Sequence, residues 1–464
     1  MTVKASRSWR RAACLLPLWL AACGGGGDSG TPPPASCSVA GQQDWLRSYM
    51  DDGYFWYALS PKPSPAGFSS VAAYFDALIY RGGGQIPGAP AGTLWPSDRY
   101  SNFQSTTSFN RFFGDGQTLG YGVAVAGLEV TEPAPQPSQP LFVRYIEPLS
   151  PAAIAGVVRG DRVISVNGVA ASSLISANDF SALTPNAAGD ALTLVLRNAA
   201  GSDRTVTLSA AVYGLTPVQN ARTLQSPNGR KLGYVMVKDM ISQSDAPLAN
   251  AFASFKAGNV QELVLDLRYN GGGLVSVGAN VASYAAGATG SGRLFANLLY
   301  NDKRSASNAT FNFADPAAWA GFSKVYVLAG PRTCSASEQV INGLRGIGVN
   351  VVAVGDTTCG KPVGFLPQND SCGTTYSVVN FESINARNEG RYFDGFQATC
   401  ALAENFGKPL GDTADALLVA AAYHVDNGVC PAGTALREQL QSRPAPRGRY
   451  NGADGAERIG MSAR

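Results

Sequence analysis

Histidine occurs once in the 464 residues, at His424. That scarcity removes any zinc site built from several histidines and forces any Ser-His-Asp mechanism through one side chain. No CxxC or CxxH spacing offers a metal site in its place, so neither a metal nor a cofactor is expected. Charge is also sparse, at 15% of residues, and 53 Gly with 28 Pro make up about 17% of the chain, below the ~25–30% of low-complexity sequences. The chain is globular and long enough for two or three domains.

The small excess of positive charge, +3, belongs to one end of the chain. Residues 1–22 hold Lys4, Arg7, Arg10 and Arg11 and no acid. The remainder is close to neutral and gives no argument for a nucleic-acid partner. Those basic residues precede an apolar stretch from Ala12 to Ala22 that is too short to cross a bilayer and reads as a signal peptide. Its end, Leu20-Ala21-Ala22-Cys23, resembles the lipobox of bacterial lipoproteins, which implies lipidation at Cys23 and a membrane anchor. Gly24 at the next position implies the outer membrane of the cell envelope, facing the periplasm. Residues 23–36 have no apolar period and read as a flexible tether. Within it, Gly27-Asp28-Ser29-Gly30 spells a serine-protease nucleophile motif, but a tether cannot hold Ser29 against a base. Six cysteines remain beyond the anchor, Cys37, Cys334, Cys359, Cys372, Cys400 and Cys430, an even number consistent with up to three disulfides in an exported protein.

Residues 37–113 read as a helical cap whose aromatics, among them Trp45, Tyr49, Tyr54 and Trp56, suit a core better than a ligand site. Residues 114–212 alternate short strands with two helical pieces, and the Pro-rich stretch Thr131 to Pro140 reads as a hairpin loop. Ser150-Pro151-Ala152-Ala153-Ile154-Ala155-Gly156 followed by Gly160-Asp161-Arg162-Val163-Ile164 and Asn167-Gly168 resembles the PDZ signature. That resemblance implies a peptide-carboxylate loop at Gly120, Tyr121, Gly122 and Val123, with the peptide added as a strand and flanked by a helix around Ser176 to Leu183. From residue 213 to 430 near-continuous apolar strands alternate with helices, an α/β domain covered on both faces. Residues 431–464 read as a mobile tail.

Three loops after those strands carry the chemistry. Gly271-Gly272-Gly273 follows the strand ELVLDL and can turn bare N–H groups toward an anion, although a plain turn would look the same. Ser335 opens a helix after the strand KVYVLAG. With Glu338 it forms either a capping box or a nucleophile at a strand-to-helix turn. Lys361 lies in the Gly- and Pro-bounded loop after NVVAV; desolvated there, its amine would be neutral and basic enough to serve a serine.

The three loops together resemble those of the carboxy-terminal processing peptidases, or tail-specific proteases. In that family a strand ends LDLR-x-N-x-GG, SASE carries the nucleophile, and a GK base follows some 25 residues later. The resemblance runs from about Trp45 to Tyr423. It implies a multidomain α+β protein: a helical cap, a PDZ domain and a serine peptidase core of the ClpP/crotonase-like α/β type. It implies Ser335 as nucleophile, Lys361 as general base, and backbone N–H groups of Ala336 and of Gly271 or Gly272 as the oxyanion hole. Its partners would be proteins or peptides with exposed C-termini. One departure stands out: Phe365 occupies the place where many members carry a Gln that orients the lysine, which leaves Glu338, Asp356 and Gln368 as candidates for a third member. A Cys334–Cys359 bond between the two catalytic loops is a further expectation. His424, near the end of a helix, is expected to be structural. The alternative function is a catalytically silent PDZ lipoprotein adaptor that binds C-terminal peptides.

Overall fold

The structure, a computed structural model, describes residues 34–126, 140–177, 179–316, 318–432 and 460–463. The signal peptide, Cys23, nearly all of the tether and of the Pro-rich loop, and most of the tail lie outside them.

The centre of the molecule is a six-stranded sheet in the order Val218–Gln225, Lys231–Val237, Glu262–Asp266, Lys324–Ala329, Asn350–Gly355, Cys400–Ala401. Its first pair is antiparallel and the rest are parallel. Parallel strands need crossovers, and the helices Asp245–Ala257 and Ala336–Gly346 supply them where the sequence changes from a period of two to one near 3.6. Alternate side chains of each strand enter two different cores. Val235, Leu265 and Val327 pack with the helices Asp245–Ala257, Val275–Ala286 and Ala336–Gly346. Tyr234, Val264 and Tyr326 pack with the helix Ala416–Asn427. Coverage of both faces explains why these strands read as unbroken apolar runs.

A second six-stranded sheet runs in the order Gly272–Leu274, Gly460–Ser462, Val363–Phe365, Val379–Ile384, Leu294–Tyr300, Ala309–Asn312. The tail is therefore not wholly loose: residues 460–462 form a strand inside this sheet, contrary to the expectation of a mobile segment. Three residues carrying one apolar side chain give no periodicity to read.

The aromatics of the cap form a core, as their spacing implied. Trp45, Tyr49, Tyr54, Trp56, Tyr74, Phe75 and Trp95 are buried together with Val363, Phe365 and Tyr376 of the catalytic region. The strand Asn102–Ser105 pairs with Thr374–Ser377, and Cys37 is bonded to Cys372, so the cap is built onto the core at both ends. Cys400–Cys430 and Cys334–Cys359 complete three disulfides.

The PDZ sheet runs Val123–Ala126, Leu141–Ile146, Arg162–Val166, Ala191–Arg197, Asp203–Ser209, with Asn167 (φ 50°) and Gly168 (φ 80°) in the turn that the Asn-Gly pair implied. Gly122 has no substitute: its φ is +78°, and a Cβ there would lie 1.9 Å from Cβ of Ser150. The Val123–Ala126 strand is paired on one side only among the described residues, which leaves an edge for strand addition. The flanking helix is displaced from its expected place. It spans Ala171–Ala177, and Ser181–Leu183 forms only a 3₁₀ turn. The small residues Ala171, Ser172 and Ser173 gave no start signal, whereas Phe180 and Leu183, buried in the PDZ core, gave a misleading one.

Where the PDZ domain meets the core, Glu147 is buried and accepts from Tyr145 Oη at 3.1 Å. Desolvation, with Asp239 nearby, pushes its carboxyl up from 4.5 to about 8, against the pull of Lys238. Between those values the folded protein holds a proton that the unfolded chain has lost, so stability falls as pH rises through the window. Glu147→Gln removes this slope. Its Tm should gain on the parent's between about pH 5 and 8, and melting curves that shift in parallel would rule the effect out.

Candidate active site

All three chemistry-bearing loops leave the C-terminal ends of adjacent parallel strands, Glu262–Asp266, Lys324–Ala329 and Asn350–Gly355. In open α/β sheets that edge is where ligands bind. The loops are tied to one another. Asn270 O accepts from Cys334 N at 3.0 Å and from Ser337 Oγ at 3.0 Å. Thr333 Oγ1 donates to Leu267 O at 2.8 Å, and Cys359 N to Thr333 O at 3.1 Å. The Cys334–Cys359 bond, whose ends are 25 positions apart in sequence, joins the loops covalently, as expected from two cysteines placed beside Ser335 and Lys361.

Ser335 sits at the turn into the Ala336–Gly346 helix with φ 61° and ψ −115°, a region that side-chain-bearing residues rarely adopt and that costs roughly 1–3 kcal/mol. It is fully buried, and its Oγ has no hydrogen-bond partner among the described residues. Nζ of Lys361 is likewise buried and without a hydrogen-bond partner. Burial pushes the Lys361 amine well below the ordinary lysine value, while the carboxylates of Asp98 and Glu338 pull the other way. Nζ rests 3.6 Å from the centroid of the Phe365 ring and 5.5 Å from that of Tyr100. The position where a Gln might have stood thus holds an aromatic face that offers no acceptor.

Of the three candidates for an orienting residue, the structure brings Glu338 to the site, and through the backbone. Its Oε1 accepts from Thr358 Oγ1 at 2.6 Å and Gly360 N at 2.8 Å. Its Oε2 accepts from Ser335 N at 2.9 Å and Lys361 N at 2.8 Å. One buried carboxylate clamps the Ser335 loop to the Lys361 loop. Burial raises its pKa and these hydrogen bonds oppose the rise. Asp356 instead accepts from the N–H of Thr357, its own neighbour, and Gln368 pairs with Tyr376 in a separate small sheet. Neither is among the groups acting on Lys361, which are Asp98 and Glu338.

On the oxyanion side, Gly272 N–H is already donated to Asn270 Oδ1 at 2.8 Å. Gly271 is therefore the better placed of the two glycines, together with Ala336 at the start of its helix, where N–H groups lack intrahelical acceptors. Sequence reasoning missed the segment 98–100. Arg99 Nη2 donates to Cys359 O at 3.1 Å and Tyr100 Oη to Gly360 O at 2.5 Å, fixing the base loop from the cap side. It also missed the ionic cluster beneath the first loop. Arg268 binds Asp415 at 2.8 Å and Glu404 at 3.0 Å, and Arg159 of the PDZ domain binds the same Glu404 at 2.7 Å. His424 lies elsewhere, with Nδ1 3.3 Å from Tyr326 Oη on the face covered by its own helix.

Residues 231–389 match the description of peptidase family S41, residues 41–101 the S41 N-terminal domain and residues 142–198 a PDZ domain. Residues 231–389 are thus a peptidase S41 domain. It is 28% identical over 273 residues to the chloroplastic C-terminal processing peptidase of Tetradesmus obliquus, covering 56% of either chain. It is 24% identical over 301 residues to the carboxyl-terminal-processing protease of a Picosynechococcus species, covering 63% of this chain and 65% of that one. The matched region thus spans between half and two thirds of these curated relatives' lengths. Among solved structures, a Bacteroides fragilis protein described as an S41 protease superposes with a TM-score of 0.61 at 25% identity, over 83% of this chain and 97% of that one. The order of the three matched domains, S41 N-terminal domain, PDZ domain and S41 peptidase domain, is the order that the resemblance implied.

Proposed function

We propose that this S41 protein is a serine endopeptidase working through Ser335 and Lys361. The observation that carries the reading is the state of Lys361: a buried amine, without a hydrogen-bond partner, held below its ordinary pKa on a loop clamped to the nucleophile's own backbone. Burial favours the neutral form of such an amine, which can accept a proton. Nζ takes the Ser335 hydroxyl proton as Oγ attacks a peptide carbonyl. The tetrahedral oxyanion is met by the N–H groups of Ala336 and Gly271. As the C–N bond breaks, the Lys361 ammonium returns its proton to the leaving amine. Water then cleaves the acyl-enzyme, with Lys361 accepting and releasing the proton again.

The open edge of the PDZ strand Val123–Ala126 and the Gly120 to Val123 loop support selection of substrates by their C-termini. The lipobox at Cys23 supports an anchored enzyme at the outer membrane that acts on envelope proteins. The test uses the chain from Gly24 onward, incubated with an unfolded protein bearing an apolar C-terminus or an acidic one. The parent should cleave the first faster, and Ser335→Ala should cleave neither. Cleavage that survives Ser335→Ala refutes the nucleophile. Equal rates on the two substrates refute selection by the PDZ domain, and no cleavage by the parent favours the silent adaptor.

A further inference from the structure

The strands that carry the two halves of the site are not paired with each other. Gly272–Leu274, which follows the oxyanion glycine, and Val363–Phe365, which follows Lys361, both pair in parallel with Gly460–Ser462 lying between them. The register places Gly460 beside Gly272, Met461 beside Gly273 and Ser462 beside both Leu274 and Phe365. Ala463 N donates to Phe365 O at 3.0 Å. Met461 is wholly buried in the cluster that holds Ala336, Val275 and Phe381. At Gly364 a Cβ would stand 2.2 Å from the Phe381 ring and 3.0 Å from Met461 O, so this strand packs close on both neighbours. On its far side the Gly272–Leu274 strand is backed by Met240, whose O accepts Leu274 N at 2.7 Å.

These features describe a slot that accepts one extended chain by main-chain pairing on both sides, with an apolar recess for one side chain and small residues flanking it. We propose that the slot is a binding site for an extended peptide with a methionine-sized apolar side chain, and that Gly460–Ser462 of the chain itself is an internal competitor for it. Residues 433–459, between the core and this strand, are enough chain to span up to about 90 Å extended, so the strand is an appended segment rather than a continuation of its neighbours. The role as a substrate slot rests on the peptidase reading; occupancy by the competitor does not. A peptide arriving from outside binds only the fraction of molecules whose slot is open, and its apparent affinity falls in proportion.

Two experiments on the full chain test this. Met461→Asp puts a carboxylate into the recess and should free the slot without touching Ser335 or Lys361. Its KM for an unfolded protein should fall, by about tenfold if the slot is filled nine-tenths of the time, with kcat unchanged. A peptide of residues 455–463 should restore the parent's behaviour by competitive inhibition. Independently of catalysis, the same peptide carrying a fluorophore should bind Ser335→Ala/Met461→Asp saturably, and Ser335→Ala about tenfold more weakly. Equal binding by the two proteins, or none by either, overturns the proposal. So does loss of the cooperative melting transition in Met461→Asp, which would make the strand a structural part of the sheet. Binding that follows the expected pattern in a protein that cleaves nothing would uphold the slot and reject the peptidase.

Discussion

Lys361→Met should abolish turnover and at the same time make the protein more stable. A general base contributes roughly 10²–10⁴-fold to rate, and methionine has no lone pair that can take the Ser335 proton at neutral pH. The gain in stability comes from the same burial that makes Lys361 useful. Holding the amine below its ordinary pKa costs the folded state about 1.4 kcal/mol for each pH unit of depression, and methionine fills a similar volume without that cost. At roughly 2.1 cal/mol/K of unfolding entropy per residue, each kcal/mol moves the Tm of a chain this long by about 1 °C.

The pH dependence fixes the sign. Between the lowered pKa and the lysine value of about 10.4 the unfolded chain binds the extra proton, so the parent's stability rises with pH there. The advantage of Lys361→Met is therefore largest on the low side of that window and closes as pH approaches 10.4. Activity of the parent should rise over the lower part of the range, through the depressed pKa. A variant that melts below the parent, or a parent whose activity rises only near pH 10.5, would contradict the assignment of Lys361 as a neutral buried base.

Glu338→Gln should be the most damaging conservative change in the protein. Each carboxylate oxygen of Glu338 accepts two hydrogen bonds, from Thr358 and Gly360 on one side and from Ser335 and Lys361 on the other. An amide turns one of these oxygens into a donor. Whichever way it is placed, two buried donors lose their acceptor and face another N–H. Each orphaned group costs roughly 1–3 kcal/mol, more for bonds to a charged acceptor. Tm should drop by about 2–6 °C. kcat should fall further than folding alone explains, because the lost bonds are the ones that fix Ser335 relative to Lys361. A fall in Tm with unchanged kcat in the folded fraction would reduce Glu338 to a purely structural role.

The contrast between Glu338 and the pair Ser335 and Lys361 marks the reach of the sequence. The positions of Ser335 and Lys361 in loops after strands were legible, because the apolar runs KVYVLAG and NVVAVG each end in a glycine where the chain pattern says a loop must follow. The capping-box spacing also revealed one of the bonds made by Glu338, the one to Ser335 N. Its bonds to Gly360 and Lys361 were not legible, since they depend on two parallel strands lying side by side. The same holds for Asp98 to Tyr100, which read as loop residues and reach the base loop only because the cap packs on Val363 and Phe365. Arg159 and Glu404 stand 245 residues apart, and nothing local announces that they meet. The Gly460–Ser462 strand was misread because main-chain pairing on two sides asks nothing of side chains beyond smallness and one apolar group.

The Cys37–Cys372 bond has a mechanical consequence. A pull on the chain upstream of residue 37 passes through this bond directly to the far end of the cap–core junction, 335 residues away in sequence. The load bypasses the Val39–Gly53 helix and the aromatic cluster behind it, so neither is peeled off turn by turn.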